Sequence, residues 1–138
     1  MQIARLITAF LTLIILAQPA HAAPASIEGR WKTDDGKSII AFYKCGNAMC
    51  GRIDKFLVPE PRGGARDGEN PNKALRERKL LGLRIFWNLK PDSNSYEGKG
   101  YNPEGGRYFN ADLKREGNQL KVKGCVLIIC KTVTWTRA

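Results

Sequence analysis

Histidine is nearly missing from this chain: the single one, His21, sits among the first 22 residues, and none follows. If that leading segment is removed, every Ser-His-Asp and Cys-His mechanism, every histidine metal site and every histidine general base goes with it. Also lacking is an apolar run long enough to cross a bilayer, because residues 6–17 fall short of the ~20 that a spanning helix needs. There is no low-complexity segment and no internal repeat beyond a pair of cysteine hexapeptides. Catalysis would have to rest on carboxylates or lysine. The acids fall mostly in turn contexts, such as Asp34-Asp35-Gly36 and Asp67-Gly68-Glu69-Asn70, and the second is too short a pattern for an EF-hand. A non-enzyme with no cofactor and no metal is therefore expected.

What is present begins with an export signal. Arg5 supplies the positive charge, residues 6–17 the apolar stretch, and Ala20-His21-Ala22 small residues at the two positions that signal peptidase reads. Cleavage after Ala22 would leave residues 23–138 as one periplasmic or secreted domain with one core. The formal charge then falls only from +10 to +9, through loss of Arg5. Outside the cytoplasm that balance favours anionic partners, such as an anionic envelope surface, over nucleic acid.

Four cysteines remain, as "CGNAMC" at 45–50 and "CVLIIC" at 125–130. An even number in an exported chain argues for two disulfides. Zinc would have to assemble where thiols oxidise, and the spacing is not the two-residue one of thiol oxidoreductases. On one straight strand Cys45 and Cys50 would lie about 16 Å apart at ~3.3 Å per residue. They bond only if the chain turns between them, and Gly46-Asn47 makes that turn natural. Between Cys125 and Cys130 there are no turn formers, so their own residues leave the local bond open.

The rest reads as short strands between turns, at 28–33, 37–45, 50–57, 80–89, 96–101, 108–114, 120–123 and 130–137. Alternation puts Leu83, Ile85 and Trp87 on one face, and likewise Phe109, Ala111 and Leu113, then Leu120 and Val122, then Val133 and Trp135. Residues 58–72 form a long loop, and Asn70-Pro71 has the chemistry of a helix start, giving a short helix at 71–78 between strands three and four. Eight antiparallel strands on one core suit an up-and-down barrel, since closure leaves no edge.

Gly29-Arg30-Trp31 in the first strand and Arg137 in the last, beside Trp135, resemble the Gly-x-Trp and distant arginine of lipocalins, where an indole plugs the closed barrel end under a guanidinium. More specifically, "GRWKTDDGKSI", "CGNAMCGRI", "ENPNKALRERKLLGL", "GYNPEGGRYFNADL" and "TWTR" resemble a family of small exported bacterial proteins of unknown function with a lipocalin-like barrel. Lys79 stands where that pattern usually has proline, and Asn102 where it usually has aspartate. The resemblance implies an all-β, eight-stranded lipocalin-like domain in which Gly29, Trp31 and Arg137 close the barrel.

Strands that alternate up and down from Trp31 would put the 46–49 turn at the Trp31 end and both the 58–80 link and the 126–129 tip at the other. Bonds between the two cysteine pairs would then have to reach along the barrel, beyond the ~7 Å limit between Cα atoms. Two separate clasps are expected, Cys45 with Cys50 and Cys125 with Cys130. The end holding the link should be the mouth, with Arg76, Arg78 and Lys79 near the apolar tip. The expected activity is binding of an apolar or amphipathic small molecule with an anionic head, at Phe42, Arg76, Arg78, Ile85, Trp87, Phe109 and Val122. The alternative is an envelope module whose basic face grips polyanions or a protein while side chains fill the barrel.

Overall fold

A computed structural model describes residues 14–20 and 22–138, so most of the expected export signal, His21 included, lies outside the described residues. Eight strands, β1 (Gly29–Lys32), β2 (Ser38–Cys45), β3 (Ala48–Phe56), β4 (Arg84–Asp92), β5 (Ser95–Asn102), β6 (Arg107–Glu116), β7 (Gln119–Val126) and β8 (Ile129–Arg137), follow one another around a closed antiparallel barrel. Closure comes through Trp31 opposite Arg137 and Lys32 opposite Thr136. Period-two alternation sets what faces inward. Phe109, Ala111 and Leu113 of β6, Leu120 and Val122 of β7, and Val133 and Trp135 of β8 point into the barrel and join one core. The wall outside is polar: Lys99 reaches Asn110 Oδ1 at 2.6 Å and Lys121 reaches Thr134 Oγ1 at 3.0 Å.

One end is sealed. Trp31 is wholly buried, its indole N–H donates to the Ile27 carbonyl at 2.9 Å, and the Arg137 guanidinium lies 4.6 Å from the ring centroid. That guanidinium in turn donates to the Glu28 carbonyl at 2.9 Å. Gly29 is required beneath it, because its φ is 119° and a Cβ there would stand 2.5 Å from Arg137 Nη1.

Strand β4 departs from simple alternation. Gly51 pairs with Phe86 but Arg52 with Arg84, so Ile85 is an extra residue, and a second irregularity between Trp87 and Lys90 contains Asn88 at φ 53°. Such bulges re-aim side chains. Ile85 and Phe86 therefore both turn inward, while Trp87, expected inside, is on the outer wall opposite Lys99 with its ring edge-on to Tyr108 at 6.2 Å. Gly98 makes room for the bulge, since a Cβ there would meet the Trp87 and Asn88 carbonyls at 2.7 Å.

The link between β3 and β4 contains a single 3-10 turn, Lys73–Leu75, shorter than the helix expected at 71–78. Asn72, not Asn70, caps it, accepting from the Ala74 N–H at 3.1 Å. The helix stops because the chain must double back: Asp67 N–H donates to the Arg78 carbonyl and Leu80 N–H to the Ala65 carbonyl, pairing Arg66 with Lys79.

Candidate functional site

Opposite the sealed end, the connections after β1, β3, β5 and β7 gather around an open mouth. It leads into a cavity of about 1180 Å³. Below the rim the wall is apolar, made by Ile40, Ile53, Phe56, Ile85, Phe86, Phe109, Val122, Val133 and Trp135. Space for the Phe109 ring is given by glycines on both neighbouring strands: it lies over Gly100 of β5, where a Cβ would collide with it, and against Gly124 of β7, where a Cβ would crowd it at 3.0 Å. Phe42 sits deeper, buried behind the lining and packed against Phe86 and Trp135 at centroid distances of 5.3 and 6.4 Å.

The rim carries the charge. Lys37 lies between Asp35 and Glu104, 3.9 and 3.6 Å away. Burial pushes the Asp35 carboxyl up, but the Lys37 N–H, the Thr33 hydroxyl and the Lys37 ammonium outweigh it and hold the group below the usual carboxylate range. Asp34 accepts from the Trp135 indole at 3.3 Å. Arg66 is spent on the Glu77 and Gly63 carbonyls. Two cations differ: Arg107, on the inward face of β6 with Phe109, and Lys131, on the inward face of β8 with Val133, line the mouth and form no ion pair among the described residues. Across the ladder from Arg107 stands Asn102, a neutral side chain that accepts from the Glu104 N–H at 3.0 Å.

Arg76 and Arg78, expected at the mouth, are elsewhere. The link wraps the outer face of the barrel, and both guanidiniums serve to fasten it. Asp67, wholly buried, accepts from the Tyr101 hydroxyl at 2.6 Å, from Asn70 Nδ2 at 2.8 Å and from Arg78 Nε at 2.8 Å. Arg76 Nε donates to the Asn70 carbonyl at 2.8 Å. Burial raises the Asp67 carboxyl, yet the three donors more than offset it and leave it below its ordinary value. Burial and the facing carboxylate push the Tyr101 phenol up to about 12. The Asp67 to Asn70 stretch is thus committed to fastening the link. Among the described residues no group of three or more His, Cys, Asp or Glu side chains is placed to hold a metal.

Of the seven residues expected to bind, Ile85, Phe109 and Val122 line the cavity, Phe42 is buried behind the lining rings of Phe86 and Trp135, and Trp87, Arg76 and Arg78 are outside it. The two rim cations were missed although alternation marks them. Arg107 shares its parity with Phe109, Ala111 and Leu113, and Lys131 with Val133 and Trp135. The two clasps form as expected, Cys45–Cys50 at the sealed end and Cys125–Cys130 at the mouth, and the described cysteines are all bonded.

With the geometry in place, the sequence over residues 29–137 matches the family described as "Uncharacterized protein conserved in bacteria (DUF2147)". The chain belongs to that family. This DUF2147 barrel is also similar to a solved structure, protein HP1028 from the human pathogen Helicobacter pylori, described as belonging to the lipocalin family. The TM-score is 0.72 at 23% identity, over 82% of this chain and 83% of that one, a likeness of fold. No curated protein matches the sequence. Both the family and the lipocalin-like fold implied by the sequence strings are thereby confirmed. Two disulfides fit a DUF2147 domain that works where thiols oxidise, outside the cytoplasm.

Proposed function

We propose that this protein is an exported, non-catalytic binding protein for an amphiphile with an anionic head, acting in the periplasm or beyond. The acyl or ring portion lies against Ile85, Phe86, Phe109, Val122, Val133 and Trp135, and the head meets Arg107 and Lys131 at the rim. One observation carries the reading: an apolar-walled cavity of about 1180 Å³ opens beside two inward cations that form no ion pair among the described residues. Pockets for small ligands are typically ~300–1,000 Å³ and mostly apolar with a few placed polar groups. Similarity to a protein described as a lipocalin supports small-molecule binding in general. The filled-barrel alternative has less behind it, because the interior is open. A non-catalytic role is favoured by the lack of imidazole after residue 21 and by the engagement of the rim acids Asp35 and Glu104 with Lys37.

The test is displacement of an environment-sensitive fluorophore by fatty acids and other anionic amphiphiles, with native mass spectrometry to count bound molecules. Arg107→Ala with Lys131→Ala should weaken an anionic amphiphile about tenfold or more, since hydrogen bonds to charged groups contribute ~1.5–3 kcal/mol, while hardly changing a neutral one. A fluorophore that never enters, or a double variant that binds both ligands like the parent, refutes the reading.

A further inference from the structure

Four hairpins of the barrel have two-residue turns: Gly46-Asn47, Ser93-Asn94, Gly117-Asn118 and Leu127-Ile128. In each, the first turn residue has a positive φ, 65°, 53°, 62° and 54° respectively. Three of them meet that demand with glycine or serine followed by asparagine, the small and polar residues such turns favour. The fourth puts leucine in a conformation that bulky side chains rarely adopt, follows it with isoleucine, and leaves the two 90% and 96% exposed. Behind this tip Cys125 and Cys130 are bonded directly across the ladder, with Cα atoms 4.1 Å apart, which fixes the tip in its outward position. Backbone strain and apolar surface left in water are both borne here, and exposure of this degree leaves little compensating contact with the described residues. Strain of this kind collects at functional sites.

Charge and shape indicate what the tip meets. From Gly117 to Ala138 the chain carries Lys121, Lys123, Lys131 and Arg137 and no acidic residue. Lys123 on the outer wall, across the ladder from Asp112 of β6, and Lys131 on the inner wall, with no ion pair among the described residues, flank the tip from both sides. Lys131 is three residues beyond Ile128, about 10 Å at ~3.3 Å per residue. That spacing fits apolar side chains entering the headgroup and acyl boundary by ~5–10 Å while ammonium groups stay at the surface. The tip is also narrow. Two side chains cannot supply the ~800 Å² per partner of a stable protein interface, which speaks against a second copy.

We propose that the β7–β8 tip docks this protein onto an anionic lipid surface, Leu127 and Ile128 entering the acyl boundary while Lys123 and Lys131 meet the headgroups. Because Val126, Leu127, Ile128 and Ile129 also line the mouth, docking sets the cavity opening against the lipid. The inference goes beyond binding inside the barrel and does not depend on it, since attachment is measured whatever the cavity holds.

The experiment is co-sedimentation of the purified, disulfide-bonded protein with vesicles of phosphatidylcholine, alone or with phosphatidylglycerol, at rising salt. The parent should attach to the anionic vesicles and detach as salt rises. Leu127→Gly with Ile128→Asn copies the Gly46-Asn47 turn, so it keeps the hairpin and does not lower the melting temperature. It should lower attachment about a hundredfold, on the order of tenfold for each aliphatic side chain. Lys123→Glu should lower attachment to the anionic vesicles about tenfold and leave the neutral ones unchanged. The proposal is overturned if the parent attaches to neither vesicle, or if the turn variant attaches as the parent does. It is equally overturned by a parent dimer that the turn variant dissolves, which would assign the tip to a second copy.

Discussion

At one end of the barrel Trp31 is wholly buried, its N–H satisfied by a carbonyl and its ring covered by a guanidinium; at the other, Leu127 and Ile128 stand almost fully in water. The same eight strands build both ends, and both carry a cysteine hexapeptide of identical spacing. Even the clasps differ in register. Cys45 pairs across the ladder with Ala48 because the Gly46-Asn47 turn follows it at once, so its disulfide partner Cys50 lies two residues further on, Cα atoms 5.9 Å apart. Cys125 pairs with Cys130 itself because the turn is centred on Leu127-Ile128. Turn chemistry, not cysteine spacing, decides which residues face each other. One end is built to hold the sheet shut, the other to hold it open.

Removing the plug should therefore have the largest effect of any single change. Trp31→Ala takes away a fully buried indole and leaves Arg137 without the ring it covers, so a loss of about 3–5 kcal/mol is expected, measured by chemical denaturation. The two-residue turn variant at the mouth should lose no stability relative to the parent, since glycine adopts the positive φ of Leu127 without strain. Equal losses at the two ends would abolish the distinction between them.

Next in size is the fastener of the link. Asp67→Ala leaves the Tyr101 hydroxyl, the Asn70 amide and the Arg78 guanidinium without their common acceptor. Arg78 is partly exposed, so the loss is discounted to about 2–3 kcal/mol. It should be accompanied by faster proteolysis within 58–80, because Val58, Arg66 and Leu80 of that segment form part of the mouth. The same cluster sets a pH window. The depressed Asp67 carboxyl contributes stability that is present above the ordinary carboxylate range and is lost as pH falls through its lowered value. The raised Tyr101 phenol contributes stability that is present below pH ~10 and is lost as pH rises toward 12. Protection of the link, followed by hydrogen exchange, should be flat between those limits in the parent. With Asp67→Asn the decline on the acid side should disappear, and an unchanged decline would place the sensitive group elsewhere.

How far these features could be read from the chain follows the same division. The barrel, its closure and the opposed clasps rest on alternation and on turn residues, which act locally, so strings such as Phe109 to Leu113 show them directly. Alternation failed at Trp87 because Asn88 and Gly98 form a bulge, and a bulge depends on two strands fitting one another across the ladder. Placing Arg76 and Arg78 at the mouth rested instead on the topology of the link, and it failed because the guanidiniums are drawn to the link's own acceptors. Their basic character is visible in the sequence, but the buried Asp67 that captures Arg78 also needs Tyr101, 34 residues away, and Arg76 is held by the carbonyl of Asn70. Arg107 and Lys131 were legible by parity, yet a charge on an inward face reads as an error unless the barrel is known to be open at that height.

The smallest effect sharpens the comparison most directly, because it sets one clasp against the other. In the Cys45–Cys50 pair Cys50 is 2% exposed, whereas Cys130 of the other pair is open to solvent. Thiol exchange requires a reagent thiolate to reach a sulfur, so access governs the order of attack. Graded reductant on the folded protein, followed by labelling and peptide mapping, should mark Cys125 and Cys130 first. Closing so short a ring stabilises by about 2 kcal/mol at most in the chain-entropy model, so the singly reduced protein should remain folded. Its tip, released from the clasp, should then become more susceptible to proteolysis while the sealed end keeps its hydrogen-exchange protection. Labelling of Cys45 and Cys50 first, or of all four thiols together, would show that the sealed end opens as readily as the mouth.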